Sequence, residues 1–388
     1  MKRKIYTLWK EEIKRFFTND VVVAIFFGAP ILYGILFGFV YEKAKVTHLP
    51  VAVINEDQSP LSQNFIEALQ DNEVLDVKKI FYDASRIKKE QIKNDFVAII
   101  SLPSHFEADI LQKRYPEIKV DLNMSNILNA NFASKNIQRV LATLKAGIEI
   151  ESLKKQGMAP DLAHKSFEAF KISYHKLYNP AGNYLYFMLP ALLGAIMQQV
   201  IFLAMALVFA RDFEDGYFKK ILQFSKNPFY LILIKFIPYL FLSAFVWTMV
   251  GLIFEYFQID FKVFNLPMLV IVILLTLAAM FIGMLFSILI PNRLKATEFL
   301  MVISTPAFIL SGFTWPLSAM PHWVTHISNA IPLTHFLQAF KKIAMYGGNM
   351  ADIFPEIKAL SLIAFISFVL MVISLKLKII PVVNQNTL

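Results

Sequence analysis

Long uninterrupted apolar runs constrain this chain more than any other feature. A helix rises about 1.5 Å per residue, so roughly 20 mainly apolar residues cross the ~30 Å hydrocarbon layer of a membrane. Val21–Tyr41 is such a run, with no charge inside it. The next lies far downstream at Asn183–Ala210, followed by Leu231–Phe257, Leu266–Ile290, Glu298–Phe313 and Leu360–Leu375 with its flanks. The pattern predicts an α-helical integral membrane protein with six transmembrane helices, the fifth of them short. Between the first and second runs, residues 42–182 have ordinary soluble character. Composition supports this reading, because 56% of the 388 residues are apolar, 17% are charged and 37 are phenylalanine. Soluble chains carry about 25% charged residues. A single soluble domain, a disordered chain and a collagen-like repeat are all excluded. With no cysteine, so are a disulfide framework, a thiolate nucleophile and a cysteine-held metal.

The net charge of +9 fits nucleic acid, an anionic surface or topology signals, and position decides among them. Fifteen Lys and Arg residues lie in the N-terminal segment and after the second, fourth and sixth runs, against four in the alternate short loops. Residues 42–182 hold 19 basic and 18 acidic side chains and so add almost nothing. Basic residues collect on the cytoplasmic side, which puts both termini there and leaves nucleic acid unmotivated as a partner. Val21–Tyr41 reads as an uncleaved anchor, since acidic residues precede it and no small-residue cleavage site follows. Pro30 should bend it. In the leader, residues 1–20, Ile5, Trp9, Ile13, Phe16 and Phe17 recur at helical spacing among Lys and Glu. That is either an amphipathic helix for the cytoplasmic interface or a charged leader that only sets orientation.

Within 42–182, apolar runs at Leu49–Ile54, Val74–Tyr82, Phe96–Leu102 and Ile118–Met124 read as strands. Helical patterns separate them from Ser59-Pro60 to Leu69, at Ser85–Lys93 and at His105–Leu111, and a long helix is expected at Asn126–Gln156. Alternating strands and helices predict a small α/β layer domain, placed outside the cytoplasm by the topology. The chain has no phosphate loop (Gly-Lys is absent even as a dipeptide), no nucleophile elbow and no metal-spaced ligand cluster. His322 and His326 share a helix face, but no third ligand accompanies them, so they read as polar residues of the outer interface.

Two segments carry the functional expectation. Residues 211–227, RDFEDGYFKKILQFSKN, place acids first and lysines later, in the order that suits a helix dipole. Phe218, Ile221, Leu222 and Ser225 make a narrow stripe, so the segment is either a docking helix for a cytoplasmic partner or a solvated connector. Residues 313–356 are too apolar for a plain loop, yet Pro316, Pro321 and Pro332 cut them into pieces too short to span. Irregular backbone at membrane depth survives only when buried or lining a cavity. Re-entrant or interfacial helices anchored by Trp315, Trp323 and Tyr346 fit, capping an exit route, and a folded surface loop is the alternative. Gln198 and Gln199 sit near the middle of the second run, as inter-helix, inter-subunit or substrate contacts. Glu255 and Glu298 lie toward the ends of theirs, and the lack of a mid-membrane carboxylate chain argues against a proton-driven carrier.

These segments resemble the type-2 family of ATP-binding-cassette (ABC) exporter permeases. Glu214 and Gly216 match that family's E-x-G-T-x-E-x-L-x-x-P loop, Ile221 stands for its Leu, and Lys235 resembles the lysine opening the next span. Tyr217 replaces its Thr, Lys219 stands where an acid is frequent, and Pro228 falls later than its Pro. SGFTWPLSAMP (Ser311–Pro321), IPLTHFLQAFKKI (Ile331–Ile343) and Gly347-Gly348 resemble the family's outer signature, with His335 in place of Tyr. VAVINEDQSPLSQ (Val51–Gln63) is similar to the strand and turn of the subfamily with a large extracytoplasmic insert after the first helix. The resemblance implies a permease in a bacterial inner membrane that binds no cofactor itself and works with a separate ATPase holding ATP and Mg. That ATPase would dock on Arg211, Asp212, Glu214, Asp215, Gly216, Phe218, Lys219 and Leu222. Ser311, Gly312, Pro316, Pro321 and Pro332 would build the outer gate. A second copy or a paralogue would complete the path for a hydrophobic or amphiphilic cargo, with a periplasmic adaptor as a further partner. The alternative is a mechanotransmission subunit that moves its outer domain without passing cargo.

Overall fold

The computed structural model describes residues 2–43, 45–83, 87, 90, 94–166, 177–179, 181–259, 261 and 265–385. Two compact units emerge, one of Met1–Ala44 with Lys176–Leu388 and the other of Lys45–His175.

The first unit begins with α1 (Lys2–Phe17) and α2 (Asp20–Val40). Asn19 separates them, its side chain accepting from the Val22 amide as an N-cap. Pro30 lacks the N–H that the preceding turn needs, and the helix answers with a π turn at Ala24–Gly28. Only Pro30, Gly34 and Gly38 of the following stretch are buried. A methyl group on Gly38 would lie 2.1 Å from the Phe257 ring, and one on Gly34 would lie 2.6 Å from Ile253 Cδ1. These small residues at four-residue spacing let two spans approach closely in a solvent where apolar surface gives no drive of its own.

The second unit is built on β1 (Leu49–Asn55), α3 (Pro60–Gln70), β2 (Leu75–Phe81), β3 (Ala98–Leu102), α4 (Phe106–Leu111), β4 (Lys119–Leu122), α5 (Ile127–Lys155) and α6 (Pro160–Ser166). Its sheet runs β2-β1-β3-β4, with β1 parallel to β2 and β3, and β4 antiparallel to β3. The central strand is buried almost throughout, as its continuous apolar run requires. Turn chemistry explains the NEDQSP stretch that follows it. Asn55 Oδ1 accepts from the amides of Asp57 and Gln58, its Nδ2 donates to Ser62 Oγ at 3.0 Å, and Ser59 caps α3 ahead of Pro60. The helix expected at Ser85–Lys93 lies outside the described residues but for Ile87 and Glu90, as does the chain from 167 to 176.

The first unit resumes with α7 (Tyr184–Glu214), α8 (Tyr217–Leu222), α9 (Pro228–Tyr256), α10 (Leu266–Leu289), α11 (Arg293–Leu310), α12 (His322–Asn329), α13 (Pro332–Phe340) and α14 (Phe354–Gln385). Among the described residues, α2, α7, α9, α10 and α14 are long and apolar enough to cross a membrane. That is five, where the sequence reading counts six. The missing one is Glu298–Phe313, which belongs to α11. This helix starts earlier than the apolar run, and Arg293, Lys295 and Glu298 in its first six positions leave too short an uncharged stretch. The central helix is α7, with 67% of its apolar window buried against 22% for α2. It packs against α2, α9, α10, α11 and α13.

Candidate functional site

The stretch 211–227 is not one helix. α7 runs on through Glu214, and Gly216 then takes φ +67° to turn the chain into the short α8, a conformation that suits a residue without a Cβ. Of the residues assigned to docking, Glu214, Asp215, Gly216 and Lys219 are exposed. Arg211, Asp212, Phe218 and Leu222 are buried. The two aromatic or aliphatic ones close the apolar underside of α8, with Phe218 against Phe213 at a ring separation of 4.7 Å. The exposed acids are tied locally, since Arg293 at the start of α11 donates its amide to Glu214 at 2.9 Å and its guanidinium to both Glu214 and Asp215.

Arg211 and Asp212 instead belong to an ion network buried beneath this turn. Lys235 Nζ, 1% exposed, lies 2.5 Å from Glu12 Oε2 and 2.6 Å from Asp212 Oδ2. Arg211 reaches Glu12 Oε1 at 3.2 Å and the Arg15 carbonyl at 2.9 Å, and Arg15 pairs with Asp212. Two buried carboxylates thus face two buried cations, the balance without which burying charge is prohibitive. Around it the Arg15 guanidinium stacks 4.1 Å from the Tyr217 ring centroid, and Tyr217 donates its hydroxyl to Glu11. Burial and that carboxylate push the Tyr217 hydroxyl well above its ordinary pKa, so it stays a donor. The network joins α1, α7 and α9 at one point.

The packed face of α1 carries the acid Glu12, and part of the apolar stripe lies outside it. Leu8, Glu12 and Phe16 are buried, while Ile13 and Phe17 are exposed. On that face Glu12 meets Lys235 and Arg211.

In 313–356, Gly312 adopts φ +79° and a methyl group there would strike Leu317, which makes Ser311-Gly312 a tight exit from α11. Pro316 precedes a 3₁₀ turn, Pro321 precedes α12 and Pro332 opens α13. α12 is 8 residues long and α13 is 9. α12 buries only Ser328, whereas α13 buries most of its residues against α7, α10 and α14. Ser328 donates to the Leu310 carbonyl and lies 3.4 Å from Thr334 Oγ1, stitching the two short helices to α11. Trp315, Trp323, Tyr346, His322 and His326 are exposed. Gln199 is half-buried and Gln198 is enclosed, with neither end of the Gln198 carboxamide hydrogen-bonded. Among the described residues, no group of three or more His, Asp or Glu side chains is placed to hold a metal.

Residues 21–373 match the family described as ABC-2 family transporter protein. The chain belongs to the ABC-2 family. It is 22% identical over 355 residues to an Escherichia coli protein named "Probable multidrug ABC transporter permease YbhR", covering 90% of this chain and 92% of that one. It is also 22% identical over 380 residues to the E. coli "Inner membrane transport permease YhhJ", with 91% and 92% covered. Against "ABC transporter G family member 20" of Dictyostelium discoideum the identity is 22%, covering 87% of this chain and 46% of the other. An ABC-2 chain is a multi-pass membrane protein of a transporter, and the family implies an ABC ATPase as partner. The residue that sequence reading missed in this ABC-2 chain is Glu12, together with Arg15 and with Tyr239, whose hydroxyl donates to Glu12 Oε1 at 3.5 Å. A signal was present, because Leu8, Glu12 and Phe16 are spaced i, i+4, i+8, and an acid inside such a stripe needs a buried cation.

Proposed function

We propose that this chain is the permease subunit of an ATP-driven exporter that moves a hydrophobic or amphiphilic substrate, such as a drug or lipid, out of the cytoplasm or inner leaflet. A separate ATPase supplies ATP and Mg. The observation that carries this reading is the exposed turn Glu214–Lys219 seated on a buried ion network. A force applied to the turn is shared by α1, α7 and α9 rather than absorbed by a flexible loop, and packed helices with two arrangements convert it into alternating access. The name of the E. coli relative YbhR supports a multidrug cargo.

The topology has both termini in the cytoplasm of a bacterial inner membrane, with Lys45–His175 outside. α11 supplies the sixth crossing despite its charged start. Its first residue bonds Glu214 at one end of α7, and Phe313 just beyond its last stacks 4.8 Å from Phe187 at the other end, so it runs the length of a helix that spans. Ser311, Gly312, Pro316, Pro321 and Pro332 then shape an outer gate from α12 and α13. A second copy or a paralogue completes the path, and a periplasmic adaptor meets the outer unit. Lys219→Glu with Lys220→Glu tests the docking surface, because both lysines are exposed and neither belongs to the buried network. Like charge across an interface costs several kcal/mol, so co-purification of the ATPase should fall by about tenfold or more. Unchanged recovery and unchanged ATPase stimulation would refute the docking assignment.

A further inference from the structure

The helix α1 divides its side chains by chemistry. Both of its acids are engaged by the protein, Glu12 by Lys235 and Glu11 by Tyr217. Away from them, Tyr6, Ile13 and Phe17 are 68%, 40% and 49% exposed, and at 100° per residue they fall within about 40° of one another. Lys10 and Lys14 occupy about the next 60° and are exposed as well. Arg15 pairs with Asp212, whereas no acid pairs with Lys10 or Lys14 among the described residues. The outward face is therefore apolar and cationic.

Contacts on the other side of α1 set the depth of this face. Glu12 and Phe16 meet Lys235 and Tyr239, which lie about 10 and about 16 Å along α9 from its first residue. With 29 residues, about 43 Å, α9 outspans a ~30 Å hydrocarbon layer by about 7 Å at each end. α1 thus lies at the edge of the bilayer and not in the water beyond it. Its exposed stripe also runs into the outer surface of the spans. Phe17 stacks on Phe27 of α2 at 6.3 Å, Phe27 meets Phe245 of α9 at 5.7 Å, and Phe245 is exposed. Of the five apolar helices, α2 is the least buried.

We infer that this face of α1 is a binding surface for anionic phospholipid. Tyr6, Ile13 and Phe17 enter the acyl boundary while Lys10 and Lys14 reach the headgroup phosphates, the division that amphipathic interfacial helices make. A zwitterionic headgroup brings its own cation to that phosphate, so an acidic lipid such as phosphatidylglycerol is preferred. The inference needs α2 to cross a membrane and does not depend on the exporter reading. Because Glu12 holds α1 to α9 from its inner side, bound lipid steadies from outside the same helix that the buried joint holds from within.

The native chain has no cysteine, so a nitrobenzoxadiazole fluorophore placed through Ile13→Cys reports this face alone. The permease is held in phosphatidylcholine nanodiscs that contain the same small share of either phosphatidylglycerol or phosphatidylcholine, spin-labelled near the top of one acyl chain. The labelled phosphatidylglycerol should quench about threefold more strongly. About 1 M salt, which cuts the screening length to about 3 Å, should remove that preference. Lys10→Glu with Lys14→Glu should abolish it too and leave the unfolding temperature unchanged, because both lysines are exposed. A fluorophore at Lys219→Cys, on the exposed turn, should stay unquenched by either lipid. Equal quenching by the two lipids, or a preference that survives both salt and charge reversal, overturns the anionic site. A fluorophore at position 13 that only aqueous iodide quenches makes α1 a leader in water and overturns it as well. So does lipid quenching that vanishes when the ATPase is added, because the face is then a protein contact.

Discussion

The two ends of one stretch of α7 bury polar groups in opposite ways. At Arg211 and Asp212 the groups are charged, and every charge has an opposite partner within reach. At Gln198, about four turns away, the group is neutral and has none. The difference follows from what each solution costs. An unpaired buried charge costs several kcal/mol and would be removed by local rearrangement, so charges survive inside only as balanced sets that lock the helices carrying them. An unbonded neutral amide costs about 1–3 kcal/mol, which a large packed interface can carry. The charged end is therefore a rigid joint, and the neutral level is where the helices are least committed to each other.

The sharpest way to break this comparison is Lys235→Met, which leaves Glu12 and Asp212 buried without their shared cation. We expect a loss of about 3–5 kcal/mol, read as a lowered unfolding temperature or failed accumulation in the membrane. Adding Asp212→Asn should restore much of it, because the buried Glu12–Arg211 pair is then left balanced and the penalty comes from orphaned charge and not from a lost contact. If Lys235→Met alone is harmless, the joint is not buried as described.

An intermediate case sits on the same helix. Ser287 of α10 accepts from the amides of Phe209 and Ala210 at 2.9 and 2.8 Å, in a fully buried setting. Those donors already belong to the helix ladder, so Ser287→Ala should cost about 1–2 kcal/mol. Thermal unfolding of the purified permease checks the value, which should fall between that of Lys235→Met and a surface change.

Much of this was legible in the sequence, for reasons that differ by region. Apolar runs located α2, α7, α9, α10 and α14, since length and hydropathy are the physics of spanning. α11 escaped the same rule in the other direction, because its apolar run opens on Glu298 and continues a helix that starts five residues and two charges earlier. In the α/β unit the strand positions follow from apolar runs bounded by turn residues, and Asn55, Ser59 and Pro60 do the chemistry their types predict. The charged joint was not legible. Arg211 and Asp212 look like surface residues beside Glu214 and Asp215, and only the meeting with Lys235 on the next span and with Glu12, 199 residues from Arg211, buries them. Periodicity reports which face of α1 is apolar, and says nothing of the buried acid at Glu12.

Tyr217 gives a smaller effect with a defined pH window. Burial first, and its bond to Glu11 second, raise its folded pKa above the unfolded value. For such a group the stabilisation is complete below the unfolded pKa of about 10 and disappears as pH climbs toward the folded value. Between pH 6 and pH 9 the Tyr217→Phe variant should therefore differ from the native chain by a constant amount, on the order of 1 kcal/mol, and the difference should shrink only in more alkaline solution. A gap that changes across the neutral range would mean that another titrating group shares this bond.

The smallest expected effect is also the one that separates joint from surface most cleanly. Arg293 pairs with Glu214 and Asp215 much as Lys235 pairs with Glu12 and Asp212, yet Arg293 and Asp215 are each 40% exposed. Water and salt screen such a pair, and exposed ion pairs contribute about 0–1 kcal/mol. Arg293→Ala should therefore change the unfolding temperature little, and that small change should vanish in high salt, whereas the loss in Lys235→Met should persist there. Similar salt sensitivity in the two variants would place both pairs in the same solvent and dissolve the distinction between a buried joint and a surface latch.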